Sequence, residues 1–563
     1  MDMPAPTPPA RSRTGALLGI GIALIVLALI GLAALFIPRL LETGAAAQGV
    51  TAVGMPADTQ VYLSFNPHFD KLPNGDIVLK AWNDPEIAQS LEGAVRDALQ
   101  DSDLDWDRDV APWLGDEVGL GMWNLSPDTL SKAASPSFAV VISTRDPAKT
   151  NAALARWRAA LESKGQTFNE QPYRDIATVE QTAGASIAYA TVKEFVVFAT
   201  GPDDLHAVID ATLDGKGLDQ EAPYRNMLGR LRGNRALTAY IDLSGFLKPI
   251  LQRLETEGGA ALNGLNRQAI DQIMAAQSAA MGVTFEPNGI LIEFIAQVDV
   301  NQLSEEARQQ LDRSPNTNRL LGAVPDSTFV YLGSEITPDT LRQIEADPTY
   351  AALIDSVESE TKIDLKEDVF SWIAGELALV AMPGSGLGAQ PSQLPFGLAF
   401  ILAVDDTQLA EAKSSVLFHK LAEQSDATIE DVTIGDASLH VMKDSRSDQP
   451  ILLYGLIDGK FVLTLSESTA RKIAGASEKP LANDATFKAA TALLPRSNSG
   501  YGYIKPKTIV DLLSLGLSFS GQSCTACPLI DPVKAVAFAG EQPAAEPGLG
   551  RNVFFLLLNT GDR

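Results

Sequence analysis

A pair of cysteines, a run of aspartates and a recurring glutamate are the residues here whose types and spacing could do chemistry. Cys524-Thr525-Ala526-Cys527 holds the only cysteines of the chain. A C-x-x-C works as a redox couple when it opens a helix beside a basic group, as half a zinc site when a second pair exists, or as a small disulfide. Here a Ser/Gly-rich approach leads in, Pro528 follows directly, and no basic residue stands between Lys507 and Lys534. No second C-x-x-C exists. A disulfide between Cys524 and Cys527 is therefore expected, with redox work as the alternative.

Asp103-Leu104-Asp105-Trp106-Asp107-Arg108-Asp109 is the densest acidic run. Counted from Asp105, the residues Asp107, Asp109 and Asp116 fall at positions three, five and twelve of a calcium loop. Such a loop needs glycine at six and a bidentate glutamate at twelve, where this chain has Val110 and Asp116. A related run, Asp364 to Asp368, has Lys366 where Asp107 stands, which would put a cation in the site. The run is instead expected to start a helix, with Asp109 or Asp368 as its cap.

Glu117 and Glu376 recur in like surroundings and are the best acids for a hydrolase. A repeated acid, however, is better explained by a shared fold requirement than by one active site. Trp113 and Trp372, also at equivalent places, are expected as core anchors rather than ligand platforms. The four histidines (His68, His206, His419, His440) share no metal-ligand spacing. There is no G-x-S-x-G, no G-x-x-x-x-G-K-[ST] and no H-E-x-x-H. Gly384-Ser385-Gly386-Leu387-Gly388 has no lysine nearby and reads as a loop. No catalytic residue, cofactor or metal ligand is assigned, and the chain is read as a non-enzyme, with an enzyme left open.

The elements that would position these residues come in two sets. Met55-Pro56-Ala57-Asp58-Thr59-Gln60-Val61-Tyr62-Leu63 reappears as Val324-Pro325-Asp326-Ser327-Thr328-Phe329-Val330-Tyr331-Leu332. Asp105 to Val118 aligns without a gap on Asp364 to Leu377, sharing Asp, Asp, Val, Trp and Glu. Four later apolar runs match in the same order, the last being Ile290 to Phe294 with Val553 to Leu557. Hairpin signals such as Asn288-Gly289 mix with capped helices such as that opened by Asp146-Pro147. The expected class is α+β: an N-terminal transmembrane helix, then two tandem copies of a mainly antiparallel sheet domain with helices on one side. The expected divisions are a tail over 1–14, the helix over 15–37, a linker over 38–53, a first copy over 54–300, a linker over 301–320 and a second copy over 321–563.

Residues 15–37 carry no charge and, as a helix, would span roughly 35 Å, enough for a bilayer's hydrocarbon layer. A cleaved signal peptide is the alternative, since Ala45-Ala46-Ala47 offers a small-residue site. Arg11 and Arg13 precede the stretch and Arg39 alone follows, which predicts a cytoplasmic N-terminus and an extracytoplasmic remainder in a single-pass membrane protein. The 563 residues carry a formal charge of −26, from 44 Lys and Arg against 70 Asp and Glu. So acidic a surface repels phosphate backbones, which excludes nucleic acid as a partner.

The opening Pro56-Ala57-Asp58-Thr59-x-x-Tyr62, together with Asp109-Val110-x-Pro112-Trp113-Leu114-Gly115-Asp116-Glu117, resembles a family of uncharacterised bacterial membrane-anchored envelope proteins. That family is known as a domain of unknown function. The second copy departs from the pattern, with Ser371 in place of the proline ahead of Trp372-Ile373-Ala374-Gly375-Glu376. The resemblance implies an envelope location and an N-terminal anchor, and brings no activity, ligand or catalytic residue with it. The function expected is non-catalytic binding or scaffolding in the cell envelope. Its partners would be the bilayer, through the N-terminal helix, and an envelope protein or wall component. A hydrolase or a lipid-binding carrier is the alternative.

Overall fold

The structure, a computed structural model, describes residues 49–68, 71–81, 105–130, 136–182, 187–256, 273–305, 308, 315–337, 341, 344, 354–356, 358–359, 363–373, 375–383, 396–511, 530–541 and 546–559. Residues 15–37, Cys524, Cys527 and the loop at 384–388 lie outside them. Among the described residues no helix is long and apolar enough to cross a membrane.

The chain divides into two compact units. One takes Met1–Ile250 with Ser278–Phe285, the other Leu251–Gln277 with Glu286–Arg563. The first holds β1 (Val61–Phe65), β2 (Leu114–Trp123), β3 (Ser137–Thr144), β4 (Phe168–Tyr173), β5 (Ile176–Gln181), β6 (Ala188–Val192), β7 (Phe195–Ala199), β8 (Leu237–Ile241) and most of β9 (Ala276–Glu286). Its strands pair antiparallel in the spatial order β9-β8-β1-β2-β3-β7-β6-β5-β4.

The second unit holds β10 (Gly289–Val298), β11 (Val330–Ile336), β12 (Gly375–Pro383), β13 (Phe396–Ala403), β14 (Ala427–Ile434), β15 (Ala437–Asp444), β16 (Pro450–Ile457), β17 (Lys460–Thr464), β18 (Tyr501–Ile504), β19 (Val533–Glu541) and β20 (Leu549–Leu558). The order here is β10-β20-β19-β18-β11-β12-β13-β17-β16-β15-β14, again all antiparallel.

Two features correct the expected fold. The first is that two separate sheets do not form: all twenty strands belong to one hydrogen-bonded antiparallel sheet. β10, expected to close the first copy, pairs along its length with β20, from Gly289 against Leu557 to Gln297 against Leu549. The physical reason is an edge. A closing strand left unpaired exposes a row of backbone donors and acceptors, and here the two closing strands satisfy one another. The expected N-terminal transmembrane helix falls on residues 15–37, outside the described residues.

The second is that helices pack on both faces of the strands. In the second unit, Ala470 and Ile473 of the helix Glu467–Ala474 and Phe487 and Ala490 of the helix Ala485–Thr491 share a core with Val380, Ala399 and Val462. Ala410 and Phe418 of the helix Thr407–Ser425 pack instead with Leu402 and Phe461, which point the other way because side chains alternate along a strand. Strands such as Phe396–Ala403 (FGLAFILA) are apolar on both faces and can therefore be covered twice.

The helix caps follow the sequence directly. Asp146 accepts from Lys149 N ahead of the helix Pro147–Ser163, and Asp406 accepts from Gln408 N and Leu409 N ahead of Thr407–Ser425.

Candidate functional site

The repeated opening motif is a turn. In each copy the threonine N–H donates to the proline carbonyl three residues back, Thr59 to Pro56 and Thr328 to Pro325, both at 3.1 Å. Both threonines are buried. The next residue then joins the sheet by like bonds, Gln60 N to Met122 O and Phe329 N to Ala381 O, each 2.9 Å. The motif is there to turn the chain into β1 and β11.

The aspartate run forms a second device. Trp106–Val110 and Lys366–Phe370 are single wide helical turns. Asp105 and Asp364 open them, accepting from Arg108 N and Glu367 N at 2.9 Å. Asp109, 1% exposed, accepts from Asp105 N at 3.0 Å, and Asp368 accepts from Asp364 N at 3.1 Å. Each tryptophan locks the turn through its indole N–H: Trp113 donates to Asp109 O at 2.6 Å, Trp372 to Asp368 O at 2.8 Å.

A cation reaches the buried aspartate from the helix that follows the third strand of each set. Arg156 meets Asp109 at 2.7 Å, and Lys420 meets Asp368 at 2.5 Å. Arg108 adds a second guanidinium on Asp109. Hydrogen bonds from Arg108 outweigh burial and hold the Asp109 carboxyl well below the usual carboxylate range. With Asp109 taken by two arginines, Asp116 by Arg145, and Asp107 exposed, the calcium-loop ligands do not converge. Among the described residues no group of three His, Cys, Asp or Glu side chains is placed to hold a metal.

Glu117 and Glu376 are likewise spoken for. Glu117, 2% exposed, accepts from Val50 N at 3.1 Å, Thr51 N at 3.4 Å, Thr51 Oγ1 at 2.8 Å and Tyr62 OH at 3.0 Å. Glu376 accepts from Thr317 Oγ1 at 3.0 Å, Arg319 N at 2.8 Å and Leu320 N at 3.0 Å. In both places the carboxylate meets the first N–H groups of a short helical turn, Thr51–Val53 or Arg319–Gly322, just ahead of the proline motif. Burial raises the Glu117 carboxyl, against the lowering effect of its donors. These two acids fasten the entering chain to β2 and β12, and each is only 2% exposed.

The remaining histidines are dispersed. His206 stacks on Tyr173 at 3.6 Å, His419 Nδ1 meets Ser415 O at 2.7 Å, and His440 Nδ1 meets Asp431 at 2.8 Å. His68 lies with Asp116 and Arg145, a grouping the sequence does not signal because the three come from distant segments.

Sequence spacing also gave no sign of an apolar groove in the second unit. It has a volume of about 180 Å³ and is lined by Phe329, Val330, Leu379, Val380, Ala381, Phe396, Leu398 and Ile509. Leu379 pairs across β11 with Leu332, and both are exposed, at 42% and 37%. The row continues through Gly502 to Phe538 and Phe554, whose rings stack at 5.3 Å. A side chain at Gly502 would strike the Phe538 ring, so the glycine leaves room for that ring to lie across it.

No curated protein matches this chain. Among solved structures, crystal form III of TP0453 is similar at 12% identity and a TM-score of 0.24, over 48% of this chain and 87% of that one. Crystal form I of TP0453 is similar at 13% identity and a TM-score of 0.24, over 48% and 86%. A likeness that slight says nothing about ligand or role. A family described as "Protein of unknown function (DUF3352)" matches residues 17–556, almost the whole chain, and the chain belongs to that family.

Proposed function

We propose that this chain is a non-catalytic binding protein of the cell envelope that holds an apolar part of a partner or lipid in the groove of its second unit. The observation that carries this is the groove's lining. It is hydrocarbon throughout, so it can take up apolar surface but offers no acid, base or nucleophile. The recurring acids that a hydrolase would use are meanwhile occupied by donors that hold the fold together.

Size limits the ligand. Pockets that enclose a drug-sized molecule hold roughly 300–1,000 Å³. This one holds about 180 Å³, enough for a chain end or a single ring. Each buried methylene contributes about 0.8 kcal/mol, so affinity should be modest.

A neutral polarity-sensitive fluorophore titrated into the purified chain is expected to brighten and saturate. Leu379→Asp should weaken that binding at least tenfold. Val416→Asp, at a position 48% exposed on the helix Thr407–Ser425, should leave it unchanged. Equal binding by wild type and Leu379→Asp would refute the groove.

Placement outside the cytoplasm rests on the sequence alone, on Arg11 and Arg13 ahead of the apolar residues 15–37. Protease added to intact spheroplasts is expected to digest the described region, and protection of that region would put it inside.

A further inference from the structure

His68 follows β1 in the first unit and is 1% exposed. Its backbone N–H donates to Asn66 Oδ1 at 2.7 Å, which fixes the turn that carries it. Neither ring nitrogen makes a well-formed hydrogen bond among the described residues, and the Leu114 backbone is the weakest of the groups that act on the ring. Nε2 lies 4.0 Å from Asp116 Oδ1, but that oxygen is already paired with the Arg145 guanidinium. Among the described residues, the groups facing the ring are Asp116 and the backbone of Leu114 from β2, Arg145 from just beyond β3, and Lys71 from its own segment. Burial and the cations Arg145 and Lys71 act, among the described residues, against the charged ring, and Asp116 acts for it. Such a site favours the neutral imidazole.

The second unit lacks the arrangement. Counted from Tyr331 as His68 is from Tyr62, the equivalent position is Thr337. Gly375 stands where Asp116 does relative to the tryptophan. Asp405 precedes the helix cap Asp406 as Arg145 precedes Asp146.

We infer that His68 is an acid-sensitive latch of the first unit: in mildly acid medium the strands β1 and β2 are held less firmly, because their opened form takes up a proton that the buried ring refuses, while the second unit lacks this step. Burial first, then Arg145 and Lys71, pushes the native imidazole down to about 4. An exposed histidine takes its proton near 6.5. The opened form therefore binds the extra proton between those values. Stability from the neutral ring is fully present above about pH 6.5 and is lost as pH falls toward 4. Outside the cytoplasm, where the proposed function places the chain, pH follows the surroundings and this latch would respond to it.

The test is hydrogen exchange on the purified full chain at pH 7.5 and 5.5, corrected for intrinsic rates. Protection of β1 and β2 amides is expected to fall roughly tenfold relative to β11 and β12. His68→Thr, which installs the second unit's residue, and His68→Gln should both remove that fall. An NMR titration of the wild-type His68 ring gives a readout that needs no variant, and protonation well below pH 6 is expected. Titration of the ring near 6.5, a fall that persists in both variants, or an equal fall in β11 and β12 would each overturn the latch.

Discussion

Replacing Trp113 by alanine is expected to cost the first unit about 3–5 kcal/mol, the usual range for a buried tryptophan, and Trp372→Ala should cost the second unit as much. Both are nearly fully buried. Trp113 packs in a cluster with Phe65, Trp106, Leu154 and Val196, while Trp372 meets the Phe461 ring edge-on at 5.0 Å. Loss of the ring also leaves the Asp109 or Asp368 carbonyl without its indole donor. Trp→Phe separates the two contributions. It keeps most of the apolar surface but loses the bond and the outer part of the ring, so a cost of about 1–3 kcal/mol is expected. Hydrogen exchange of the strand amides beside each tryptophan reads the effect without assuming one global unfolding step. A change below about 1 kcal/mol for Trp→Ala would show that the indole is no anchor.

Glu117→Ala is expected to be comparably damaging, at about 3–5 kcal/mol, because it strips the acceptor from the buried Thr51 and Tyr62 donors and the part-buried Val50 N–H. Thr51 Oγ1 and Tyr62 OH, 2.8 Å apart, can still bond one another, which limits the loss. The backbone N–H groups of Val50 and Thr51 have no such recourse.

Glu117→Gln adds a pH signature. Burial raises the native carboxyl above its unfolded value, so the folded state holds this proton more tightly. The stability gained from that proton is full below the unfolded value and is lost as pH rises through the native one. The cost of Glu117→Gln relative to wild type should therefore be larger in mild acid than at pH 8. A cost that grows with rising pH would show the carboxylate to be stabilised by its donors instead.

What could be read in advance was local. Asp146-Pro147 and Asp406 announce helix starts because a cap acts within one turn of the residue that provides it. The motif around Trp113 and Trp372 stands out because its bonds span at most four residues and so need fixed spacing. Pairing between distant strands leaves no such mark. Ile290 to Phe294 reads as a strand but does not reveal that Val553 to Leu557 is its neighbour, since many apolar strands would satisfy the same edge. Helices on both faces were missed for a related reason: an unbroken apolar run shows that a strand is buried, not what covers it. The groove and the His68 grouping depend on this long-range pairing and are invisible without it.

The partnership of β10 with β20 bears on how the molecule is made. A ribosome completes β10 long before β20 exists, because their paired residues lie roughly 260 positions apart. Closing so long a loop is slow, and a half-built chain carries the open side of β10 throughout synthesis. Phe294, on that strand and 41% exposed even when pairing is complete, makes the waiting edge adhesive. Nascent and prematurely terminated chains are thus the forms of this protein most prone to aggregate, and the C-terminal strand acts as the stopper that the rest of the chain must wait for.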